Sequence, residues 1–333
     1  MGLNKLGQSL TAREVLGLVQ EDLRKVEREI DLELIASVGV VNTIGKYLNA
    51  SGGKRLRPIL LLLAAKLAGK ANDSAIRMAA VVEMIHVATL VHDDIIDVAE
   101  TRRGKPSANV VWGNHTCVLA GDWLYMQAFQ IAVRERNFHI LDILISLTQL
   151  MVEGELLQLD RIGKIDVTEA DYMELVDRKT ASLFSACARL GAVVAGASDD
   201  VENRLSEFAW NLGMAFQLVD DVLDFTAREK VLGKPVGNDL REGKVTLPLI
   251  YALESGDSRG REMVETVLRE GKYESFAAAE VLEFIHRNSG INRAMARAQC
   301  FADRARTIIQ TFSDSAYQRA LAAVTDVVTD RDH

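Results

Sequence analysis

The stretch from Ile76 to Asp97, IRMAAVVEMIHVATLVHDDIID, decides the fold class of this chain. Apolar residues recur through it with the period of an α-helix and cover most of its circumference, which is typical of a helix inside a protein core. At its C-terminal end Asp93 and Asp97 stand four residues apart, so their carboxylates lie one turn apart on one face. Like charges at this spacing, at the negative end of a helix, cost roughly a few tenths of a kcal/mol. We therefore expect a cation to compensate them.

A second stretch, GMAFQLVDDVLD from Gly213 to Asp224, repeats this arrangement. Asp220 and Asp224 have the same spacing and again end an apolar helical segment. A single acidic cluster is often only a solvated helix end, but two copies in apolar surroundings favour a metal site. Mg²⁺ takes one or two carboxylates and completes its shell with water and substrate phosphates. The two clusters therefore predict a magnesium-bound di- or triphosphate substrate.

Helical patterning also covers most of the remaining chain, and only four prolines interrupt its 333 residues. The other patterned segments are Glu14 to Leu48, Leu56 to Ala68, Val118 to Arg134, Ile140 to Leu159, Thr180 to Ala195 and Val201 to Phe225. A content of 48% hydrophobic and 26% charged residues suits a protein that buries a large core. With no Ser/Gly/Pro linker and no repeat, the sequence predicts a single all-α domain over residues 1–333.

Charge and cysteine content argue against several classes of protein. The net charge of −8 disfavours a general nucleic-acid binder, which needs a basic face. Three separated cysteines indicate neither a disulfide framework nor a thiolate zinc site, and they fit a reducing cytoplasm. No apolar run reaches the roughly 20 residues of a membrane span, and the N-terminus lacks the apolar core of a signal peptide. We expect a cytoplasmic protein with at most peripheral membrane contact.

Basic residues cluster beside both aspartate pairs, where substrate phosphates need positive charge. Gly52 to Pro58 reads GGKRLRP and places three cations where a Gly-Gly turn opens a helix, a position whose backbone N–H groups also favour anions. Thr101 to Pro106 reads TRRGKP and follows the first aspartate pair closely. Further cations stand at Arg178, Lys179, Lys234 and Lys244. Each alone is ordinary surface charge, but together they predict a pocket for diphosphates.

These motifs resemble the trans-isoprenyl diphosphate synthases, or polyprenyl synthetases, and most of all the long-chain members. GGKRLRP, DDIID followed by RRG, GDWL, RKTASLF and GMAFQLVDDVLDF occur in the order of that family, between Gly52 and Pro248. The resemblance implies a helical bundle of the isoprenoid synthase type around a deep central cavity. It also implies a Mg²⁺-dependent prenyltransferase of isoprenoid biosynthesis that acts on isopentenyl diphosphate and an allylic diphosphate primer, and a homodimer formed through helices near the first motif.

By position, the resemblance assigns the family's functional residues to this chain. The ligands of three Mg²⁺ ions are Asp93, Asp97, Asp220 and Asp224, with Asp94 and Asp221 supporting them. The isopentenyl diphosphate pocket comprises Lys54, Arg57, His86 and Arg103. The clamp on the allylic diphosphate comprises Arg102, Lys179, Lys234 and Lys244. Thr180 and Gln217 stand beside the reacting carbon.

The same resemblance implies ionisation of the allylic diphosphate to a carbocation, which the double bond of isopentenyl diphosphate then attacks. Metal ions and cations stabilise the departing diphosphate, which can itself accept the proton lost at the end. No dedicated general base is needed, in keeping with the lack of a catalytic triad signature.

Small residues before the first aspartate pair predict a long product. Ala88 and Thr89 lie about one turn before Asp93, with Ile85 a further turn away, and short-chain members of the family tend to carry an aromatic residue there. One turn advances about 5.4 Å, comparable to an isoprene unit, so we expect about eight units, with six to ten allowed. We expect a use in quinone side chains and a deeper cavity floor around Met126 to Val133.

Four other functions stay open on the sequence. The nearest is a shorter-chain synthase making geranylgeranyl or farnesyl diphosphate. A terpene cyclase shares the first motif, although its second metal motif usually follows an Asn/Ser/Glu pattern. A di-iron carboxylate bundle could use the Glu-x-x-His pairs at Glu83 and Glu283, but it would leave both aspartate clusters unexplained. The last is a non-catalytic subunit of a heteromeric synthase, against which the intact motifs argue.

Overall fold

The computed structural model describes residues 10–35, 39–50, 55–102, 104–226 and 237–329. The predicted positions of Lys54, Arg103 and Lys234 lie outside the described residues. The described chain is almost entirely helical, which confirms the predicted all-α class. It forms two compact units. The first unit comprises Met1–Ser146, Phe184–Ser206 and Ile309–Val324, and the second comprises Leu147–Leu183, Glu207–Ile308 and Thr325–His333.

The described helices follow one another along the chain, and among the described residues a small β-hairpin lies between α4 and α5. The helices are α1 (Ala12–Glu33), α2 (Gly39–Ala50), α3 (Leu56–Ala68), α4 (Asp73–Ile96), α5 (Ala108–Trp112), α6 (Asn114–Arg134), α7 (Phe138–Arg161), α8 (Glu169–Val176), a π-helical turn (Asp177–Ala181), α9 (Ser182–Val194), α10 (Asp199–Thr226), α11 (Asn238–Arg241), α12 (Leu247–Leu253), α13 (Ser258–Glu270), α14 (Ala278–Arg287), α15 (Gly290–Ile309) and α16 (Ala316–Thr329). Strands β1 (Thr101–Arg102) and β2 (Lys105–Pro106) pair antiparallel between α4 and α5.

The predicted helices agree with the observed ones except in two places. The predicted helix from Glu14 to Leu48 is wrong, because the structure has two helices there, α1 and α2. The chain leaves α1 at Leu34, whose buried side chain packs on Gly45 of α2, where an added Cβ would stand 3.0 Å from it. One straight helix would hold these two residues about 16 Å apart. The segment predicted from Thr180 instead begins with α8, which a capping box of Thr168 and Asp171 starts.

The core helix of the first unit is α4, as its sequence predicts. It packs against α1, α3 and α6. By length and composition α4 is the one helix among the described residues that could cross a membrane, but 67% of its apolar window is buried inside the protein. This packing fixes the end of the helix, and with it Asp93 and Asp97.

The second unit has a core of its own around the C-terminal half of α10. Met214, Leu218 and Val222 of α10 belong to one buried apolar cluster with residues of α12, α13 and α14. Burial of this face holds the last turns of α10 in place, because each of these side chains would lose favourable transfer free energy on exposure. The second aspartate motif is therefore anchored by apolar packing on the turns that carry it.

Candidate active site

The first aspartate motif lies where α4 ends, in the first unit. Asp93 and Asp94 belong to the last turn of the helix, and Asp97 caps it by donating its backbone N–H to the Asp93 carbonyl at 2.8 Å. The side chains of Asp93 and Asp97 are half-buried. Burial, together with the charge of Asp93, raises the pKa of Tyr125 to about 12. The motif thus has the predicted geometry of two carboxylates one turn apart.

The middle carboxylate of this motif is held by an arginine. Asp94 is 1% exposed and accepts a hydrogen bond from Arg102 Nε at 2.6 Å. Its backbone carbonyl also accepts the Ala99 N–H at 2.9 Å and the Asn109 side-chain amide at 3.2 Å. Between these residues the chain turns sharply through Val98, whose φ is +51°. The predicted clamp residue Arg102 is therefore an ion-pair partner of the motif itself.

A small cavity of about 30 Å³ in the first unit collects several of the predicted diphosphate residues. Its lining includes His86, Asp94 and Arg102, and also Arg55, one of the three cations of the GGKRLRP segment, and Glu83, for which the sequence predicted no diphosphate role. Arg55 has a left-handed backbone, with φ at +49°, and its guanidinium pairs with Glu83 at 2.6 Å. This ion pair also argues against Glu83 as an iron ligand.

The structure shows the local contacts of two further groups of predicted residues in the first unit, Arg57 and the chain-length wall. The guanidinium carbon of Arg57 lies 5.7 Å from the centre of the Phe184 ring, a cation–π contact. Of the predicted chain-length wall, Ile85 and Ala88 are fully buried, and Thr89 donates its hydroxyl to the His86 carbonyl at 2.7 Å.

The predicted cavity floor is wrong at both of its named ends. Met126 is 65% exposed and Val133 is 44% exposed, so these side chains lie on the outer face of α6. The buried positions of the same segment are Ala128, Ile131 and Ala132. Helical periodicity explains the difference, since a continuous segment cannot present all its residues to one side.

The second aspartate motif lies in the last two turns of α10, in the second unit. Asp221 is 5% exposed and accepts one hydrogen bond on each oxygen, from the Tyr172 hydroxyl and from Gln217 Nε2, both at 2.7 Å. Burial, together with the neighbouring charges of Asp220 and Asp224, raises the pKa of Asp221 to about 7. Asp224 is also buried, and it accepts the backbone N–H of Asp239 at 3.2 Å.

A π-helical turn presents Lys179 and Thr180. Such turns often occur at functional sites, and here the turn runs from Asp177 to Ala181. Gly154 of α7 lets the turn approach closely, since an added Cβ would lie 3.0 Å from the Lys179 backbone nitrogen. Lys179 forms an ion pair with Glu155 and donates to Gln158 Oε1 at 3.2 Å. The Thr180 hydroxyl donates to Gln217 Oε1 at 2.9 Å.

These groups converge on a cavity of about 200 Å³ inside the second unit. Five predicted site residues line it: Lys179, Thr180, Gln217, Asp221 and Lys244. The other lining residues are Gln158, Arg161, Ile162, Val167, Tyr172, Leu175, Val176, Asp239, Val245 and Thr246. The structure therefore brings together, within one unit, residues that the sequence separates by more than sixty positions.

The polar residues of this cavity that the sequence prediction missed include Tyr172 and Asp239. Tyr172 lies on α8, within a segment that received no helix prediction. Asp239 follows the second motif on the short helix α11, and burial, together with the charges of Asp224 and Asp221, raises its pKa well above the ordinary value. Asp239 stands four residues before the basic pair Gly243-Lys244, and this spacing is a sequence signal that could have found it. Nothing local marks Tyr172.

The donor set in both units fits magnesium. Each motif offers carboxylates one turn apart. Burial, together with the charges of neighbouring aspartates, raises the pKa values of Asp221 and Asp239, and a hard cation would offset this negative charge. Within the described residues, no three His, Cys, Asp or Glu side chains are grouped as a metal site. The second Glu-x-x-His pair, Glu283 and His286, is exposed on α14, which disfavours a di-iron bundle.

Comparison with known proteins agrees with this geometry. The model of the polyprenyl synthetase family matches residues 38–285. An octaprenyl diphosphate synthase from Haemophilus influenzae is 37% identical over 96% of this chain and 97% of its own. A geranylgeranyl diphosphate synthase from Methanosarcina mazei is 45% identical over 63% of this chain and 67% of its own.

A solved structure is similar over nearly the whole length of the chain. It is a polyprenyl synthase from Caulobacter crescentus, determined with calcium and isoprenyl diphosphate, and its TM-score is 0.92. The two sequences are 35% identical, and the match covers 98% of this chain and 99% of the other. This likeness confirms the predicted isoprenoid synthase fold. On these grounds the chain belongs to the polyprenyl synthetase family, the trans-isoprenyl diphosphate synthases.

Proposed function

We propose that this prenyltransferase extends an allylic diphosphate by successive condensation with isopentenyl diphosphate to an all-trans product of about eight isoprene units, the octaprenyl length named for the relative at 37% identity. Its family and relatives identify it as an enzyme of long-chain prenyl diphosphate synthesis. The observation that carries the site assignment is the cavity of the second unit, where Lys179, Thr180, Gln217, Asp221 and Lys244 converge.

Magnesium, when bound, supplies Lewis-acid stabilisation of the departing diphosphate. Asp93, Asp97, Asp220 and Asp224 are the residues that would hold it as three ions with the substrate. The support is their carboxylate chemistry and the calcium in the Caulobacter relative, another hard divalent cation.

The chain's own cations and dipoles supply the rest of the chemistry. Lys179 and Lys244 lie at the cavity as point charges for phosphate oxygens, now paired with Glu155 and Glu242. The C–O bond of the allylic diphosphate breaks, and the oxygens of Thr180 and Gln217 face the positive carbon. The isopentenyl double bond then forms the new C–C bond, and the diphosphate accepts the released proton.

Apolar lining protects the carbocation from water. Leu175, Val176 and Val245 line the same cavity as the polar groups. A water molecule near the cation would capture it as an alcohol, so exclusion of water is as important as stabilisation of charge. The arrangement suits condensation with an alkene better than hydrolysis.

The diphosphate pocket of the first unit is part of the same proposal. Arg57 and His86 would bind diphosphate oxygens there, together with Lys54 and Arg103, and Arg102 and Lys234 would join the allylic clamp. Support comes from the shared cavity lining of His86, Asp94 and Arg102. One polyprenyl synthetase domain over residues 1–333 is likewise our proposal, supported by the family match at residues 38–285.

The length of the product is the finer part of the proposal. Ile85, Ala88 and Thr89 would form a wall that allows long products, with Ala88 offering no bulk below the first motif. The similarity to the Methanosarcina enzyme keeps a geranylgeranyl product as the alternative. Ala88→Phe should shorten the product, and an unchanged chain length in that variant would reject the wall.

Quaternary structure and location follow the family expectation. We propose a homodimer in the cytoplasm, with peripheral membrane contact for product release and a role in quinone side chains. The exposed apolar residues Val118, Leu119 and Met126 on α6 support a partner surface near the first motif.

The decisive experiment is incubation with labelled isopentenyl diphosphate, farnesyl diphosphate and Mg²⁺, followed by sizing of the dephosphorylated products. We expect a long-chain alcohol at about C40, and no product from Asp93→Ala. Absence of any elongated product from the folded wild-type protein, or release of a cyclic terpene, would overturn the proposal.

A further inference from the structure

We infer that Tyr172 is a positioning residue for the reaction: through Asp221 it fixes the direction in which the Gln217 amide and the Thr180 hydroxyl face the allylic carbon. The inference rests on the proposed function. It concerns a residue that no motif in the sequence marked, on a helix 49 positions away from Asp221 in the chain.

The first step is the state of the Asp221 carboxylate. It is buried, and each oxygen accepts one side-chain hydrogen bond of 2.7 Å, one from Tyr172 and one from Gln217. Tyr172 is itself 3% exposed. A carboxylate that accepts a hydrogen bond on each oxygen holds its two donor side chains in fixed positions, in contrast to a carboxylate that offers its oxygens to a metal ion.

The second step is the direction of the Gln217 amide. An amide has a donating end and an accepting end, and the Gln217 NH₂ group is committed to Asp221. Its Oε1 must then point the other way, where it accepts the Thr180 hydroxyl at 2.9 Å. The Thr180 hydrogen is thereby used as well. What the pair offers the cavity is oxygen lone pairs, the negative ends of two dipoles.

The third step is the consequence for a carbocation. Oxygen dipoles fixed in advance stabilise a positive carbon, whereas an amide turned by half a rotation would present N–H groups and repel it. Tyr172 keeps Asp221 in place, and Asp221 keeps the amide from turning. The Tyr172 ring alone would satisfy the packing of α8, so the hydroxyl is the part that serves the reaction.

The test is Tyr172→Phe, which removes the hydroxyl and keeps the ring. We expect kcat for a single condensation to fall about tenfold, which corresponds to about 1.4 kcal/mol in the barrier. The KM values for both diphosphates should stay within about twofold, and so should the Kd of a non-ionisable thiolodiphosphate analogue of the allylic substrate. A merely structural role would weaken binding and turnover together.

The matched control is Tyr251→Phe. Tyr251 is 5% exposed and belongs to the same apolar core, but the lining of the cavity does not include it. Loss of the Tyr251 hydroxyl should lower thermal stability about as much as Tyr172→Phe does, and it should leave kcat unchanged. A fall in kcat equal to that of Tyr172→Phe would overturn the inference.

A double-substitution cycle tests the path through Thr180. Thr180→Val removes the hydroxyl at the end of the chain of hydrogen bonds, so adding Tyr172→Phe to it should lower kcat much less than it does in the wild type. Fully additive losses would overturn the inference. If Tyr172→Phe does not fold, Asp221→Asn provides the same measurement, because the asparagine amide has one acceptor oxygen in place of two and cannot accept from both Tyr172 and Gln217. A wild-type kcat in Asp221→Asn would equally overturn the inference. Wild-type protein without elongation would instead reject the proposed function.

Discussion

The two aspartate motifs share a sequence pattern but differ in what holds the middle carboxylate. Asp94 is bound by a cation, the guanidinium of Arg102, whereas Asp221 is bound by two neutral donors, Tyr172 and Gln217. The first carboxylate therefore has its charge compensated within its own unit, and the second does not. The difference teaches that DDxxD specifies the outer two aspartates, while the surrounding fold decides what the middle one does.

The outer carboxylates should behave alike in spite of this difference. Asp93→Asn and Asp220→Asn each remove one negative charge from the proposed metal ligands and keep the shape of the side chain. We expect each to lower kcat by about 10³, as is typical for the loss of one electrostatic element of a reaction centre. Steady-state kinetics at saturating Mg²⁺ provides the measurement. The control is Asp303→Asn, because the Asp303 carboxylate is exposed. If either motif variant keeps kcat within tenfold of the wild-type value, the two motifs do not play equivalent roles.

The middle carboxylate of the first motif should depend on its arginine for stability. Arg102→Leu leaves Asp94, at 1% exposure, as an uncompensated buried charge, so we expect the free energy of unfolding to fall by about 3 kcal/mol. Urea denaturation measures this. Lys105→Leu on the facing strand is the control, since Lys105 is exposed. Adding Asp94→Asn to Arg102→Leu should restore most of the lost free energy of unfolding. If it does not, the ion pair between Arg102 and Asp94 is not what stabilises the turn.

The middle carboxylate of the second motif should instead make stability depend on pH. Burial raises the native pKa of Asp221 from 3.8 to about 7, so in the metal-free protein the folded state keeps a proton that the unfolded chain has lost. The unfolded state binds fewer protons across this window, and the contribution to stability therefore falls as pH rises.

Between pH 5 and pH 7 this contribution should fall by about 2 kcal/mol. The measurement is urea denaturation in EDTA of the wild type and of Asp221→Asn. The wild type should lose stability over this range relative to the variant. Parallel pH profiles of the two proteins would contradict a raised pKa at this position.

The sequence predicted the parts of this comparison that depend on local pattern. Leu56–Ala68 is a helix as predicted, and both motifs end helices as their spacing indicates. Lys179, Thr180, Gln217 and Lys244 share a cavity as the motifs led us to expect. The sequence could not reveal the partners of the middle carboxylates. Arg102 had a predicted role at the diphosphate instead, and the bond from Tyr172 to Asp221 spans 49 residues.

The break between α1 and α2 escaped prediction for a related reason. It depends on Leu34 packing against Gly45, and no proline or polar cluster marks it among the described residues. The π-helical turn at Asp177–Ala181 likewise has no sequence period of its own. Its shape follows from packing against Gly154 and from the hydrogen bond of Trp210 to Asp177 at 2.5 Å.

The smallest expected effect concerns the backbone after each motif. Helix α10 continues past Asp224 to Thr226, whereas α4 ends at Ile96 and the chain reverses through Val98 at a φ of +51°. A β-branched residue in this region is strained, while asparagine tolerates it. Val98 is 77% exposed, so Val98→Asn gives up little apolar burial and should raise the free energy of unfolding by about 1 kcal/mol. Val327→Asn, at an exposed valine inside α16, should instead lower it slightly, because asparagine gains nothing in a regular helix. Denaturant midpoints of the two variants measure the contrast, and a destabilised Val98→Asn would mean that the turn is held by the valine side chain.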